Sequence, residues 1–235
     1  MNTSIYTISL LDLLWVMIPV GVVIVIYMRW TQDRTTLFYA LFRMLIQLIL
    51  IGYVLTYIFS SDSSYLIILI LSVMLVAASV IALRPLQKKN KNLYLYSFIS
   101  IFIGGVFTLL MVVLGVLNLN PWYEPRFLIP IAGMIFANAM NAVSISAERF
   151  ENENERGYSY KEARAISYKA ALIPIINSLF AVGLVSLPGM MTGQILSGVD
   201  PLIAVRYQMM VMLMILGSAG ISVAIYLVLM KKVPQ

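Results

Sequence analysis

Few residues in this 235-residue chain have side chains suited to chemistry, and several of those stand inside apolar runs. Arg43 and Gln47 are four apart, which places both on one face of a helix. Asn138 and Asn141 are three apart, with Ser144 and Glu148 continuing roughly the same face. Asn177 and Ser178 are adjacent in a third apolar run. Polar groups at membrane depth are costly and face protein or water rather than lipid. Two chemistries fit the amides. One is interhelical glue, worth about 0.6–2 kcal/mol per hydrogen bond. The other is the lining of a substrate pathway built from Arg43, Gln47, Asn138, Asn141, Ser144, Asn177 and Ser178. A cation crossing there would take amide and backbone oxygens as ligands, because carboxylates are absent from the middle of the runs. Arg43 also fits a simpler role, snorkelling to the nearer headgroups.

A second group lies in the most charged part of the chain, Glu148–Lys169. Residues 148–157 are too polar for lipid and too charged for a core. From Tyr158 the pattern turns amphipathic. Tyr158, Glu162, Ala165 and Ile166 can share one helical face, while Lys161, Arg164 and Ser167 fall largely on another. Ser159 stands where an N-cap would, with Glu162 three residues on in capping-box register. The spacing predicts a short helix over about 160–169, lying along the membrane surface. It is either an ordinary basic loop or a helix that docks on a soluble partner. In the second case Tyr158, Tyr160 and Ile166 are anchors, with Glu162 and Arg164 at the rim.

A third group follows. Pro188, Gly189, Gly193 and Gly198 interrupt helical order. Backbone freed in this way at membrane depth has to be satisfied by protein or water. The stretch fits a broken or re-entrant segment, with Pro188, Gly189, Met190 and Met191 as an outer gate; it also fits an ordinary external loop. The 15 methionines, Met190–Met191 and Met209–Met214 above all, are either thioether ligands or apolar filler. Thioethers suit Cu(I) better than iron, and the metal ligands stay unassigned.

The elements that must hold these groups are membrane spans. Hydrophobic residues make up 61% of the chain and charged ones 11%, against about 25% charged in soluble domains. Mean hydropathy is +0.93. With no cysteine there are no disulfides or thiolate sites. With no histidine, a Ser-His hydrolase or a His-ligated metalloprotease is excluded. The first apolar run has no basic residue before it and no small-residue cleavage site after it, so it is read as a retained helix rather than a signal peptide.

A bilayer core takes about 20 apolar residues per helix. The runs predict seven spans in one all-α transmembrane domain over 1–235, at about 8–28, 36–59, 65–83, 95–117, 127–147, 171–190 and 202–229. Thirteen of the 16 Lys and Arg fall in the alternate loops 29–35, 84–94 and 148–170 and in the tail. The positive-inside rule then predicts an outside N-terminus and a cytoplasmic C-terminus. A net charge of +6 is explained by those loops without nucleic acid.

Four stretches carry a resemblance: RMLIQLILIGYVLTYIF (43–59), IPIAGMIFANAMNAV (129–143), AALIPIINSLFAVGLVSLPGMMTGQILSGVDP (170–201) and YQMMVM (207–212). They cover 70 of the 235 residues and are similar to the FetB family of ABC-type permeases, with plant aluminium-tolerance permeases as relatives. The resemblance implies a permease in the cell membrane, working as a homodimer with a separate cytoplasmic ABC ATPase that binds ATP and Mg. It implies export of iron or another metal and a role in metal homeostasis. It also makes the helix at 160–169 the ATPase-coupling helix. For the plant relatives a sugar nucleotide is the alternative substrate. One departure stands out: where the family pattern has a basic residue two or three positions after the Asn/Asp-Ser pair, this chain has Leu179 and Phe180.

Two other classes compete. A seven-helix protein that is not a transporter fits the topology, although the last span has no lysine inside it for a retinal Schiff base. An intramembrane enzyme lacks histidine, cysteine and paired intramembrane aspartates. No G-x-x-x-x-G-K-[ST] phosphate loop occurs, so a transport role needs an ATPase on another chain.

Overall fold

A computed structural model describes residues 9, 11–31, 33, 35–59 and 63–231. Contacts divide the chain into two units, Met1–Ser61 and Asp62–Gln235.

The first unit contains α1 (Leu13–Thr31) and α2 (Thr36–Ile58). At 1.5 Å per residue these reach about 28 and 34 Å, enough for a hydrocarbon core of about 30 Å. Their surfaces are apolar nearly all round, as lipid-facing helices require. The junction is closed by Asp33, whose Oδ1 accepts from the Thr35 and Thr36 backbone N–H at 3.1 and 3.0 Å. The Tyr27 hydroxyl donates to Oδ2 at 3.2 Å. These bonds, led by the side-chain bond with Thr36, pull the Asp33 carboxyl down to about 2. The expected span start at 8, Arg34 and the 60–62 part of the next loop lie outside the described residues.

The second unit contains α3 (Ser64–Ala82), α4 (Lys91–Ile101), α5 (Phe107–Leu110), α6 (Pro125–Glu155), α7 (Tyr160–Ala181), α8 (Gly189–Leu196) and α9 (Pro201–Met230). π-helical segments at Phe102–Val106 and Met111–Val116 join α4 and α5 into one crossing. The starts are written in the sequence. Asn90 accepts from the Leu93 N–H, Asp200 from the Leu202 N–H, and Pro125 and Pro201 occupy first-turn positions. Helix α6 lies at the centre, against α9, α7 and α3. Small residues are buried on both of the helices that pack together, Ala132, Ala139, Ala142 and Ser146 on α6 and Ala204, Ser218, Ala219 and Ser222 on α9, which suits close approach. Gly104 allows a second close crossing, since a Cβ there would run into the Ser222 hydroxyl and lie 2.8 Å from its backbone nitrogen.

Among the described residues, six stretches are long and apolar enough to cross a membrane: α1, α2, α3, Lys91–Val116, α6 and α9. The protein is thus a multi-pass membrane protein of all-helical class. The expected span at 171–190 takes a different form. Helix α7 runs unbroken from Tyr160 to Ala181, so the amphipathic 160–169 segment is its first half and not a separate surface helix. Ala163, Ala165, Ala170 and Ala171 favour continuation. Pro174 lies well inside the helix, where it removes one N–H donor and crowds the Ala170 carbonyl, yet the helix continues through it to Ala181. The helix stops at Val182, which is extended, and Gly183, whose φ of +83° suits glycine. After a short turn α8 follows, so the expected span is divided between α7 and α8, and neither is among the six stretches above.

The run at 148–157 also departs from expectation. It is the last two turns of α6 followed by a turn at Arg156–Ser159, and Glu153 within it is 1% exposed. Glu153 is held between Arg149 and Arg156, which lets its carboxylate join the core, while the other charges of the run stay half-buried or exposed.

Candidate functional site

The α3–α4 loop, the end of α6, the start of α7 and the end of α9 meet at one end of the second unit, here called the basic end. The Glu153 carboxylate accepts from Arg149 at 2.7 Å and from Arg156 at 3.2 Å, one helical turn away on either side. Glu151 reaches the α3–α4 loop, accepting from the Gln87 and Lys88 backbone N–H at 3.4 Å each. Glu155 pairs with Lys88 at 3.6 Å. The Tyr160 hydroxyl donates to the Leu227 carbonyl at 2.9 Å, its ring sits edge-on to Phe150, and the Arg164 guanidinium lies over it. Between these elements lies a cavity of about 510 Å³ with walls from Leu86, Phe150, Tyr160 and Tyr226 and with Lys88, Glu151, Asn154 and Glu155 among its polar lining.

Helix α7 leaves this end through the expected capping box. Ser159 Oγ accepts from the Glu162 N–H, and the Ser159 N–H donates back to Glu162 at 3.1 Å. The Ser159 hydroxyl, and then its N–H, lower the Glu162 carboxyl below its ordinary value. The inward face is Tyr160, Ala163, Ser167 and Ala171, a different stripe from the one the pattern suggested. Ser167, expected on the polar face, is buried and bonds the Ala163 carbonyl at 2.7 Å. Tyr160 is engaged inside the protein. The outward face holds Lys161, Glu162, Ala165 and Lys169, with Arg164 and Tyr158 exposed and Ile166 half-buried.

Two of the amides fall at matching distances along their helices. Asn138 lies 17 residues from the end of α6 at Glu155, and Asn177 lies 17 from the start of α7 at Tyr160. Both stand about 26 Å from the basic end. Asn138 is half-buried and donates to the Met134 carbonyl at 2.8 Å, while Asn141, Asn177 and Ser178 are exposed and Ser144 is half-buried. Ser178 bonds the Pro174 carbonyl at 2.9 Å. In the first unit Arg43 is half-buried and Gln47 exposed on α2.

Beyond Ala181 the chain makes a tight apolar turn. Leu184 and Val185 are 90% and 85% exposed. The N–H groups of residues 182–186 are nevertheless all bonded within the turn, to Ser178, Ser186 and Ala181 carbonyls. A tip with its N–H donors satisfied and an apolar exterior suits the hydrocarbon layer better than an open loop would. Pro188 caps α8, Met190 and Met191 are half-buried and Gly189 is exposed. Among the described residues no group of three Asp, Glu, His or Cys side chains is placed to hold a metal.

Residues 10–233 match the family model described as an uncharacterised protein family, UPF0014. The chain belongs to this family. The UPF0014 chain is 41% identical over 202 residues to the protein named probable iron export permease protein FetB of Escherichia coli K12, covering 78% of this chain and 75% of that one. It is 33% identical over 228 residues to the UPF0014 membrane protein slr1647 of Synechocystis, covering 90% and 88%. It is 32% identical over 221 residues to the protein ALUMINUM SENSITIVE 3 of Arabidopsis thaliana, covering 86% and 80%. No solved structure matches it.

Pattern reading of this UPF0014 chain missed the basic-end cluster. A signal was present: Arg149 and Glu153 are four apart and Glu153 and Arg156 three apart, the spacings at which helical charges pair. Tyr226 and the cavity had none, because their neighbours come from elements distant in sequence.

Proposed function

We propose that this chain is the permease subunit of an exporter driven by a separate ABC-type ATPase that binds ATP and Mg, with two copies of the permease per transporter. The basic end then faces the cytoplasm by the positive-inside rule, and the N-terminus lies outside. Helix α7 carries the reading. It is anchored at the basic end by its capping box and Tyr160, and it presents Lys161, Glu162, Ala165 and Lys169 to a soluble partner. It then continues without a break to Asn177 and Ser178. The coupling surface is thus the outward stripe of α7, with Tyr158, Arg164 and Ile166 at its margins.

Exposed amides at Asn141 and Asn177 support a second polar surface opposite them, which another copy of the chain would supply. The cargo favoured is a metal cation, and the name of the Escherichia coli relative makes iron the first candidate. Of the expected pathway residues Arg43 alone carries a positive charge, while Asn138, Asn141, Ser144, Asn177 and Ser178 offer neutral oxygens that suit a cation. Pro188–Met191 and the turn before them would form the outer gate.

The test is co-purification with a candidate ATPase, followed by ATP hydrolysis and Fe²⁺ efflux in proteoliposomes. Fe²⁺ should stimulate hydrolysis. Ala165→Asp, a surface change on α7, should insert normally yet lose efflux and stimulation. If that variant keeps both, α7 is not the coupling element.

A further inference from the structure

We propose that the cavity at the basic end is a binding site for a hard divalent cation, and that the cation competes with Lys88 and thereby releases the α3–α4 loop. The candidate ligands are Glu151, Asn154 and Glu155, at positions i, i+3 and i+4 of the last turns of α6, and Tyr226 from α9. All four line the same cavity. Residues at these spacings are neighbours on one helical face.

Two observations point to a ligand beyond the pair of carboxylates. Tyr226 is 0% exposed, yet its hydroxyl has no hydrogen-bond partner. Asn154 Oδ1 is likewise buried and unpartnered. A buried polar oxygen without a partner costs about 1–3 kcal/mol. Two of them in one cavity, beside two carboxylates, form an all-oxygen set. Such a set suits Mg²⁺, Mn²⁺ or Ca²⁺ and not a soft metal. With only two charged ligands the site exchanges its ion readily, since charge count sets affinity in oxygen sites.

The same two carboxylates hold the loop. Glu151 accepts from the Gln87 and Lys88 N–H at 3.4 Å, long for such bonds, and Glu155 holds the Lys88 ammonium at 3.6 Å. The Lys88 side chain is 86% exposed, so this contact is weak. The ammonium thus stands in for a cation on a tether, and a free divalent ion drawing both carboxylates inward removes both holds on residues 87 and 88. The α3–α4 loop and the outward face of α7 lie at the same end of the protein. The site therefore makes the partner-facing surface responsive to cytosolic cation, whatever cargo the pathway carries.

The experiment uses the full-length permease in nanodiscs without any ATPase, so its failure leaves the proposed transport role standing. Mn²⁺ binding is read from loss of the free-ion paramagnetic resonance signal, and loop mobility from hydrogen–deuterium exchange over residues 84–90. Glu151→Gln should weaken Mn²⁺ binding at least about tenfold, by loss of one charged ligand. Tyr226→Phe, which removes a single oxygen, should weaken it by a smaller factor. Lys88→Ala should tighten binding several-fold, because it removes the competitor. A purely structural ion pair has no means of producing that opposite sign. Mn²⁺ should speed exchange of the loop in the wild type and leave it unchanged in Glu151→Gln. The proposal is overturned if Glu151→Gln binds like wild type, if Lys88→Ala binds no more tightly, or if Mn²⁺ leaves wild-type loop exchange unaltered. Melting curves for each variant separate loss of the ion from loss of the fold.

Discussion

Glu153 and Arg149 make a 2.7 Å ion pair on the last turns of α6, and the carboxylate end of that pair is buried while the guanidinium end is half in solvent. Such a pair is best understood through its removal. Taking away one partner of a buried pair costs about 3–5 kcal/mol. Arg149 and Arg156 are 41% and 63% exposed and keep access to water, so Glu153→Ala should cost less than that, about 1–3 kcal/mol. Urea unfolding in detergent micelles measures it. Glu155→Ala, which breaks only the exposed pair with Lys88, should change stability by less than about 1 kcal/mol.

Two glycines of the same crossing should respond differently to one methyl group. A Cβ at Gly104 meets Ser222 on α9, whereas one at Gly115 meets nothing within 4 Å. Gly104→Ala should destabilise by about 1–3 kcal/mol, the usual range for overpacking. Gly115→Ala should be neutral or slightly stabilising. Thermal melting of the two purified variants is the comparison.

The capping box at the base of α7 should be acid-sensitive. The folded Glu162 carboxyl lies below its ordinary value of 4.5, mainly through the Ser159 hydroxyl. A group lowered on folding stabilises the fold above its unfolded value and loses that contribution as pH falls through the folded one. Exchange protection in the first turn of α7, corrected for intrinsic rates, should therefore be flat at neutral pH and fall below about pH 4.5. Ser159→Ala should have lower protection throughout and a flatter acid limb.

The apolar turn at 182–187 should lie in hydrocarbon. The chain has no cysteine, so a single spin label at Leu184 reports depth without background. Collisions with oxygen should dominate over those with a water-soluble nickel chelate. Dominance of the chelate would place the turn in water.

The parts legible in the sequence were those governed by local rules. Long apolar runs gave the spans, and the Ser159–Glu162 spacing gave the cap that opens α7. The inward stripe of α7 was misread because Ser167 counts as polar in any periodicity, yet in the protein its hydroxyl turns back to the Ala163 carbonyl and buries. The change from charged to apolar residues suggests two helices where alanines make one. Among the site residues, Asn138 and Asn177 were visible as amides in apolar runs, but their matching distances from the basic end needed α6 and α7 laid antiparallel. Tyr226 meets Glu151 only through α9 returning to the basic end.

The unbroken course of α7 turns the helix into a stiff lever. Its capped foot stands at the basic end, and Asn177 rides about 26 Å along the shaft. A tilt of about 10° at the foot sweeps that amide through roughly 4–5 Å, more than the diameter of a water molecule. In the proposed exporter, movement of that size would separate an open passage from a closed one, carried by a helix that is continuous between the two ends.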